Sequence, residues 1–207
     1  MTPKGYTTKT AIENYILQEI DEVFDGQLND WIVSVEKIID NITQRNFVAD
    51  ETASARLYDG DGTNELLIDE CIAITKVEVG LDGYGSSFQE DIATGADRYF
   101  LYPLNFAAKG FPASSIVLNA RSFPEGMQNN RITAKWGYSA TAPADIQFAA
   151  TVFVAGILNQ SRSGGEQIKT ESIGNYSVTY NSDNGNDSWG DFQSAQNILQ
   201  AYKRILI

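Results

Sequence analysis

Asp59-Gly-Asp-Gly-Thr-Asn-Glu65 comes closest, by residue type and spacing, to a chemical site. Carboxylates at alternate positions resemble the opening of a calcium loop, where hard oxygen ligands converge on one cation. The rest of the twelve-residue spacing is missing, and the flanking apolar runs ARLY and ELLI read as strands, not helices. Two glycines between them fit a hairpin turn, with calcium as the alternative. Gly80-Leu-Asp-Gly-Tyr-Gly is glycine-rich but lacks the lysine and following helix of a phosphate loop. Cys71 opens an apolar strand pattern and reads as a small buried hydrophobe.

The 207 residues include no histidine and one cysteine. A Ser-His-Asp triad, a Cys-His pair, a histidine metal ligand and a histidine pH switch are therefore excluded. One cysteine makes neither an internal disulfide nor a cysteine-based zinc site. Carboxylate pairs abound, so an acid-pair hydrolase stays open as a class, but spacing singles out no pair. The sequence leads us to expect no catalytic residues, no metal and no cofactor.

Acids number 27 against 15 bases, for a net charge of −12. Residues 1–100 hold 20 acids and 7 bases, whereas 101–207 hold 7 and 8. A solvated acidic face is the plain reading. A surface that must repel nucleic acid is the sharper one, because tight DNA binding needs clustered Lys and Arg. The start, MTPKGYTTKT, has no apolar targeting core. The apolar stretch 146–158 is too short to span a membrane.

The elements around these residues are legible from periodicity. Thr10-Ala-Ile-Glu13 predicts a capping box opening a helix with Ile12, Tyr15, Ile16, Ile20 and Val23 on one stripe. Asp25-Gly26 predicts a break, and Leu28, Trp31, Ile32, Val35, Ile38, Ile39 and Ile42 predict a second helix. Residues 54–138 read as short strands. Ile132, Ala134, Trp136 and Tyr138 alternate with Arg131, Thr133 and Lys135, and a parity change predicts a bulge near Thr75. Residues 81–97 read as a long loop and 102–113 as an irregular segment with aromatics. Pro143 and Asp145 start a helix that is apolar on nearly all sides through Leu158.

After a Gly-rich break at 159–166, Tyr176, Val178 and Tyr180 form a strand pattern. A polar run follows at 181–187, and Ser188-Trp-Gly-Asp191 opens a last helix with Phe192, Ala195, Ile198, Leu199, Tyr202 and Ile205 as its stripe. This strand and helix either pack on the chain's own core or engage a partner. The expected class is α+β: a helical core made of an N-terminal helical hairpin plus a buried apolar helix, with an inserted antiparallel β region and a C-terminal strand–helix tail. The expected parts are 1–53 (hairpin), 54–138 (β insert), 139–160 (core helix) and 161–207 (arm).

The order of these parts carries a resemblance. A helix ends in Thr43-Gln-Arg-Asn-Phe47; YDGDGT leads into an apolar strand; and WGY runs into P-x-D-I, a long apolar helix, a Gly-rich break and I-G-x-Y-S-V. Over residues 8–180 the chain resembles the head–tail connector (adaptor, or head-completion) proteins of long-tailed bacteriophages, although its β insert is larger than in shorter members. The resemblance implies a non-enzymatic virion protein of the neck. It implies a homo-oligomeric ring, commonly of twelve copies, beneath the portal protein, extending the channel for double-stranded DNA and meeting a stopper or tail-completion protein. It also implies that the C-terminal arm reaches the portal.

Mapped onto this sequence, the portal-binding residues would be Ile173, Tyr176, Val178, Tyr180, Trp189, Phe192, Leu199 and Tyr202. Combining the family's channel with the acid excess gives Glu19, Asp21, Glu22, Asp25, Asp30, Glu36 and Asp40 as expected channel-lining residues, on the polar sides of the first two helices. The competing reading is a carbohydrate or cell-surface binding module of a virion, suggested by loops rich in Tyr, Phe and Gly.

Overall fold

Thr8, not Thr10, caps the first helix: its hydroxyl accepts the Ala11 N–H at 3.2 Å. The computed structural model describes residues 2–80, 87–90, 99–162, 169–173, 176–180 and 188–204. In chain order the elements are α1 (Lys9–Ile16), a 3-10 turn (Glu22–Phe24), α2 (Asp25–Thr43), β1 (Ser54–Gly60), β2 (Glu65–Gly80), β3 (Phe88–Glu90), β4 (Tyr99–Tyr102), β5 (Ala113–Leu118), β6 (Gly126–Trp136), α3 (Ala144–Arg162), β7 (Lys169–Ile173), β8 (Tyr176–Tyr180) and α4 (Ser188–Tyr202). They form two units, Met1–Arg45 with Thr141–Ile207, and Asn46–Ala140. The fold is the mixed α+β arrangement expected, a helical body with an antiparallel sheet inserted in its sequence.

In the helical unit, α1 stops eight residues before the expected break. Leu17 takes a left-handed conformation (φ 55°), and its N–H closes on the Glu13 carbonyl. Glu13 does not reach back to cap. Its carboxylate accepts the Ile20 N–H at 2.9 Å and holds the exit from the helix. Asp25 begins α2 instead of breaking a helix. α3 is the centre of the unit and packs against α1, α2 and α4. Ile146, Ala149, Ala150, Val152, Phe153, Val154, Ala155 and Leu158 are all buried, as an all-round apolar helix requires. Its alanines let three neighbours approach closely. α4 buries Phe192, Ala195 and Leu199 in this same unit, with the Phe192 ring edge-on to Phe153 at 5.1 Å. Of the two readings open for the last helix, the structure has the packed one.

The sheet unit has strand order β1-β6-β2-β5-β4, with β3 on β2, all antiparallel. β6 behaves as its alternation predicts: Ile132, Ala134 and Trp136 are buried, and Arg131, Thr133 and Lys135 are half-exposed. The sixteen-residue β2 serves three neighbours, β5 from Glu65 to Cys71, β6 from Cys71 to Val79 and β3 from Glu78 to Gly80. Its register shifts between Ile74 and Lys76, at the expected bulge, where the Thr75 hydroxyl donates to the Thr133 carbonyl. Further shifts around Cys71 bend the strand. Leu66, Ile68, Val77, Ile116, Leu118, Ile132 and Trp136 thereby share one core.

The Asp59–Glu65 string is not the hairpin turn its residues suggested. β6 lies between β1 and β2, so these strands are not neighbours. Turn chemistry reverses the chain locally, but the strongest alternating strand decides who pairs with whom. Asp61 accepts the Thr63 N–H (2.9 Å) and hydroxyl (2.6 Å), which hold its carboxyl below the usual range, and Asp59 accepts the Gln128 N–H at 2.6 Å.

The insert's two ends are zipped together. Ala49 donates to Ser139, Tyr138 to Asn46 and Asp50 to Trp136, all through main-chain atoms. Gly137 (φ 141°) sits where a Cβ would lie 2.5 Å from the Ala49 Cα, so this crossing requires glycine. The Phe47 ring meets the Tyr138 ring at 5.6 Å. The N-F and W-G-Y motifs read from sequence are thus the root of the insert.

Candidate functional site

The seven expected channel acids separate into three groups. Glu36 is 2% exposed. Its carboxylate accepts three successive main-chain N–H groups, from Lys4 (2.7 Å), Gly5 and Tyr6 (both 2.9 Å). One turn on, Asp40 takes the Lys4 ammonium at 2.6 Å and the Tyr6 hydroxyl. These two acids strap the N-terminal segment to α2. Asp25 pairs with Lys9 at 2.7 Å, which raises the lysine's pKa. Glu19, Asp21 and Glu22 are exposed, but in the connection between α1 and α2 rather than on a helix face. There Asp21 caps the 3-10 turn by accepting the Val23 N–H. Only Asp30 stands exposed on α2 itself.

The expected portal-binding residues divide likewise. β7 and β8 pair as a two-stranded antiparallel sheet, Ile173 opposite Tyr176 and Glu171 opposite Val178, with Tyr180 opposite Lys169. The sequence reading found β8 and missed β7, whose KTESI pattern has little apolar alternation. Trp189 lies in the first turn of α4. Phe192 and Leu199 are buried in the helical unit, and the half-buried Tyr202 donates its hydroxyl to Asp145 at 3.2 Å. The polar run 181–187, most of the loop 81–97, and Ile205 lie outside the described residues.

Sequence reasoning missed the most exposed apolar residues of the helical unit. Leu17 is 90% exposed, Val23 81% and Phe24 47%, all in the α1–α2 connection. Helical periodicity places Val23 on the apolar stripe of the first helix. α1 ends too early to carry it there. Leu17 and Phe24 fall outside that stripe, which was the available signal. In the sheet unit, the end strand β4 exposes Phe100 and Tyr102, and Leu104 and Phe111 are exposed in the segment after it. Phe106 packs on the core beneath.

Two carboxylates of the sheet unit, Glu78 and Asp69, hold three basic side chains. Glu78 accepts from Arg131 Nε (2.7 Å), Arg131 Nη2 (2.6 Å) and Lys76 Nζ (2.9 Å), and the Arg131 hydrogen bonds hold its carboxyl at about 2. Arg131 also lies over the Phe88 ring. Arg56 pairs with Asp69 at 2.7 Å and covers the Trp136 ring. Cys71 is buried, which pushes its thiol up to about 12. No three potential metal ligands cluster among the described residues, and none of their helices is long and apolar enough to cross a membrane.

No family model matches the chain. No curated protein matches it either. Among solved structures, it is similar to a chain in an assembly described as the neck of an empty GTA particle, computed with C6 symmetry. The TM-score is 0.58, and the match covers 100% of this chain and 94% of that one. Identity is 9%, so the likeness is one of fold.

Proposed function

We propose that this protein is a structural component of the neck of a phage-like particle, where copies form a ring beneath the portal and extend the DNA channel toward the tail. The observation that carries this reading is the fold likeness over the whole chain to a protein of a GTA neck, a particle treated with six-fold symmetry. The same order of parts was read independently from the sequence motifs. Twelve copies, contact with the portal above and contact with a stopper or tail-completion protein below belong to the proposal.

The chemistry suits the role. Each copy carries a net charge of −12, so a ring gathers strong negative potential around its axis and DNA slides without sticking. Asp30 is the acid of α2 left to face that channel. The β7–β8 pair suits the portal contact, because two strands alone are marginal in water and gain by adding a partner's strand. Ile173, Tyr176, Val178 and Tyr180 belong to that pair; Trp189 follows it. Phe192, Leu199 and Tyr202 then anchor the arm to its own body.

The test is genetic. Particles made without this chain should accumulate as DNA-filled heads beside free tails. Normal joined particles would refute the proposal.

A further inference from the structure

The helical unit is electrically polarised along α2, whose 19 residues span roughly 28 Å. At one end lies the α1–α2 connection with Glu19, Asp21 and Glu22 exposed, followed by Asp25 and Asp30. Asp191 joins them through a 2.8 Å bond from the Tyr15 hydroxyl. The bases there are Lys9, paired with Asp25, and Arg162, bonded to Gln18 at 2.8 Å. At the other end the C-termini of α2 and α4 meet: the Arg204 N–H donates to the Thr43 carbonyl (2.9 Å) and Arg45 Nε to the Tyr202 carbonyl (2.6 Å). Arg45, Lys203 and Arg204 stand together there; the nearby acids are Asp40 in the last turn of α2, paired with Lys4, and Asp145 beside Tyr202. Both helix dipoles favour cations at this end.

The acidic end also carries Leu17, Val23 and Phe24, which the unit leaves in water. Leu17 does so in a left-handed conformation that leucine tolerates poorly. An exposed apolar knob with an acidic rim fits a surface with a basic rim, and the opposite end of the same unit is such a surface. Copies that each carry −12 approach one another only where opposed faces differ in sign. A contact between two different patches of one chain is heterologous, the kind that closes into rings.

We propose that neighbouring copies join head to tail through this unit. The Leu17–Phe24 connection of one copy docks on the α2 and α4 C-termini of the next, with Glu19, Asp21 and Glu22 facing Arg45, Lys203 and Arg204. The proposal rests on the ring reading and gives it a specific joint. It takes Glu19, Asp21 and Glu22 out of the channel wall.

Disulfide trapping in the full-length chain tests the joint. Val23→Cys and Lys203→Cys are both exposed changes, and the buried, weakly acidic Cys71 stays silent. Mixing the two single variants under mild oxidation should give a mixed dimer, while each variant alone stays largely unlinked. A dimer formed equally well by one variant alone, or no mixed product, would overturn the joint. A second arm reverses charge: Asp21→Lys with Glu22→Lys, and separately Lys203→Glu with Arg204→Glu. Each should weaken self-association about tenfold or more, and mixing the two should restore it to within about threefold. Failure to restore also counts against the joint. If particles lacking the chain fail to join heads to tails but both arms fail, the neck reading stands and this joint falls.

Discussion

The buried carboxylates of the two units have different partners: Glu36 of the helical unit holds three main-chain N–H groups, and Glu78 of the sheet unit holds two cations. Glu13, Asp21 and Glu36 accept from the N–H groups of Ile20, Val23 and Lys4–Tyr6. Glu78 and Asp69 instead take Arg131, Lys76 and Arg56. A carboxylate spent on the backbone consumes no base. Glu36 therefore leaves the bases of the helical unit to other partners, whereas Glu78 neutralises Arg131 and Lys76 where they lie. The first arrangement suits assembly and the second suits a self-contained module.

The largest test of this contrast is Phe192→Ala. If α4 belongs to the body of the helical unit, losing the ring that meets Phe153 should cost about 3–5 kcal/mol in urea unfolding of the isolated chain. A loss under about 1 kcal/mol would return α4 to the role of a loose arm. Next, Glu36→Ala strands three main-chain N–H groups and should cost about 2–4 kcal/mol, with faster proteolysis at residues 2–8 as the local readout. Wild-type stability in that variant would mean that the N-terminal strap is not a fixture.

Acid separates the two units further. Glu78 titrates at about 2 in the folded protein, below the ordinary glutamate range near 4.3. A depressed folded pKa adds stability above the unfolded value, and that stability is lost as pH falls through about 2. Between about pH 4.5 and 2 the wild type should lose stability more steeply than Glu78→Gln. Equal slopes would show that Arg131 does not protect this carboxylate. The smallest effect is a gain. Leu17→Gly relieves the left-handed position and should stabilise the chain by about 0.5 kcal/mol while weakening self-association. If association were unchanged, Leu17 would have no part in the joint.

What could be read from sequence follows the range of the interaction. The β6 alternation, the bulge at Thr75 and the all-round apolar α3 are local patterns, and each is present. The glycine-rich Asp59–Glu65 string suggested a hairpin turn, but β6, some 65 residues on, takes the place between β1 and β2. Glu36 looked like a surface acid because its partners lie 30 to 32 positions away, outside any periodic window. α1 shortened because Thr8 begins it and Leu17 ends it, and that turned Val23 from a core residue into an exposed one. The candidate site was legible as an acid excess. Its division into straps, pairs and exposed groups needed the fold.

The most direct measurement is cryo-electron microscopy of isolated necks from particles carrying this chain. The account predicts a closed ring of copies on the head–tail axis directly beneath the portal, with DNA density running through it. Copies found singly on the outer surface, or absent from the axis, would contradict it.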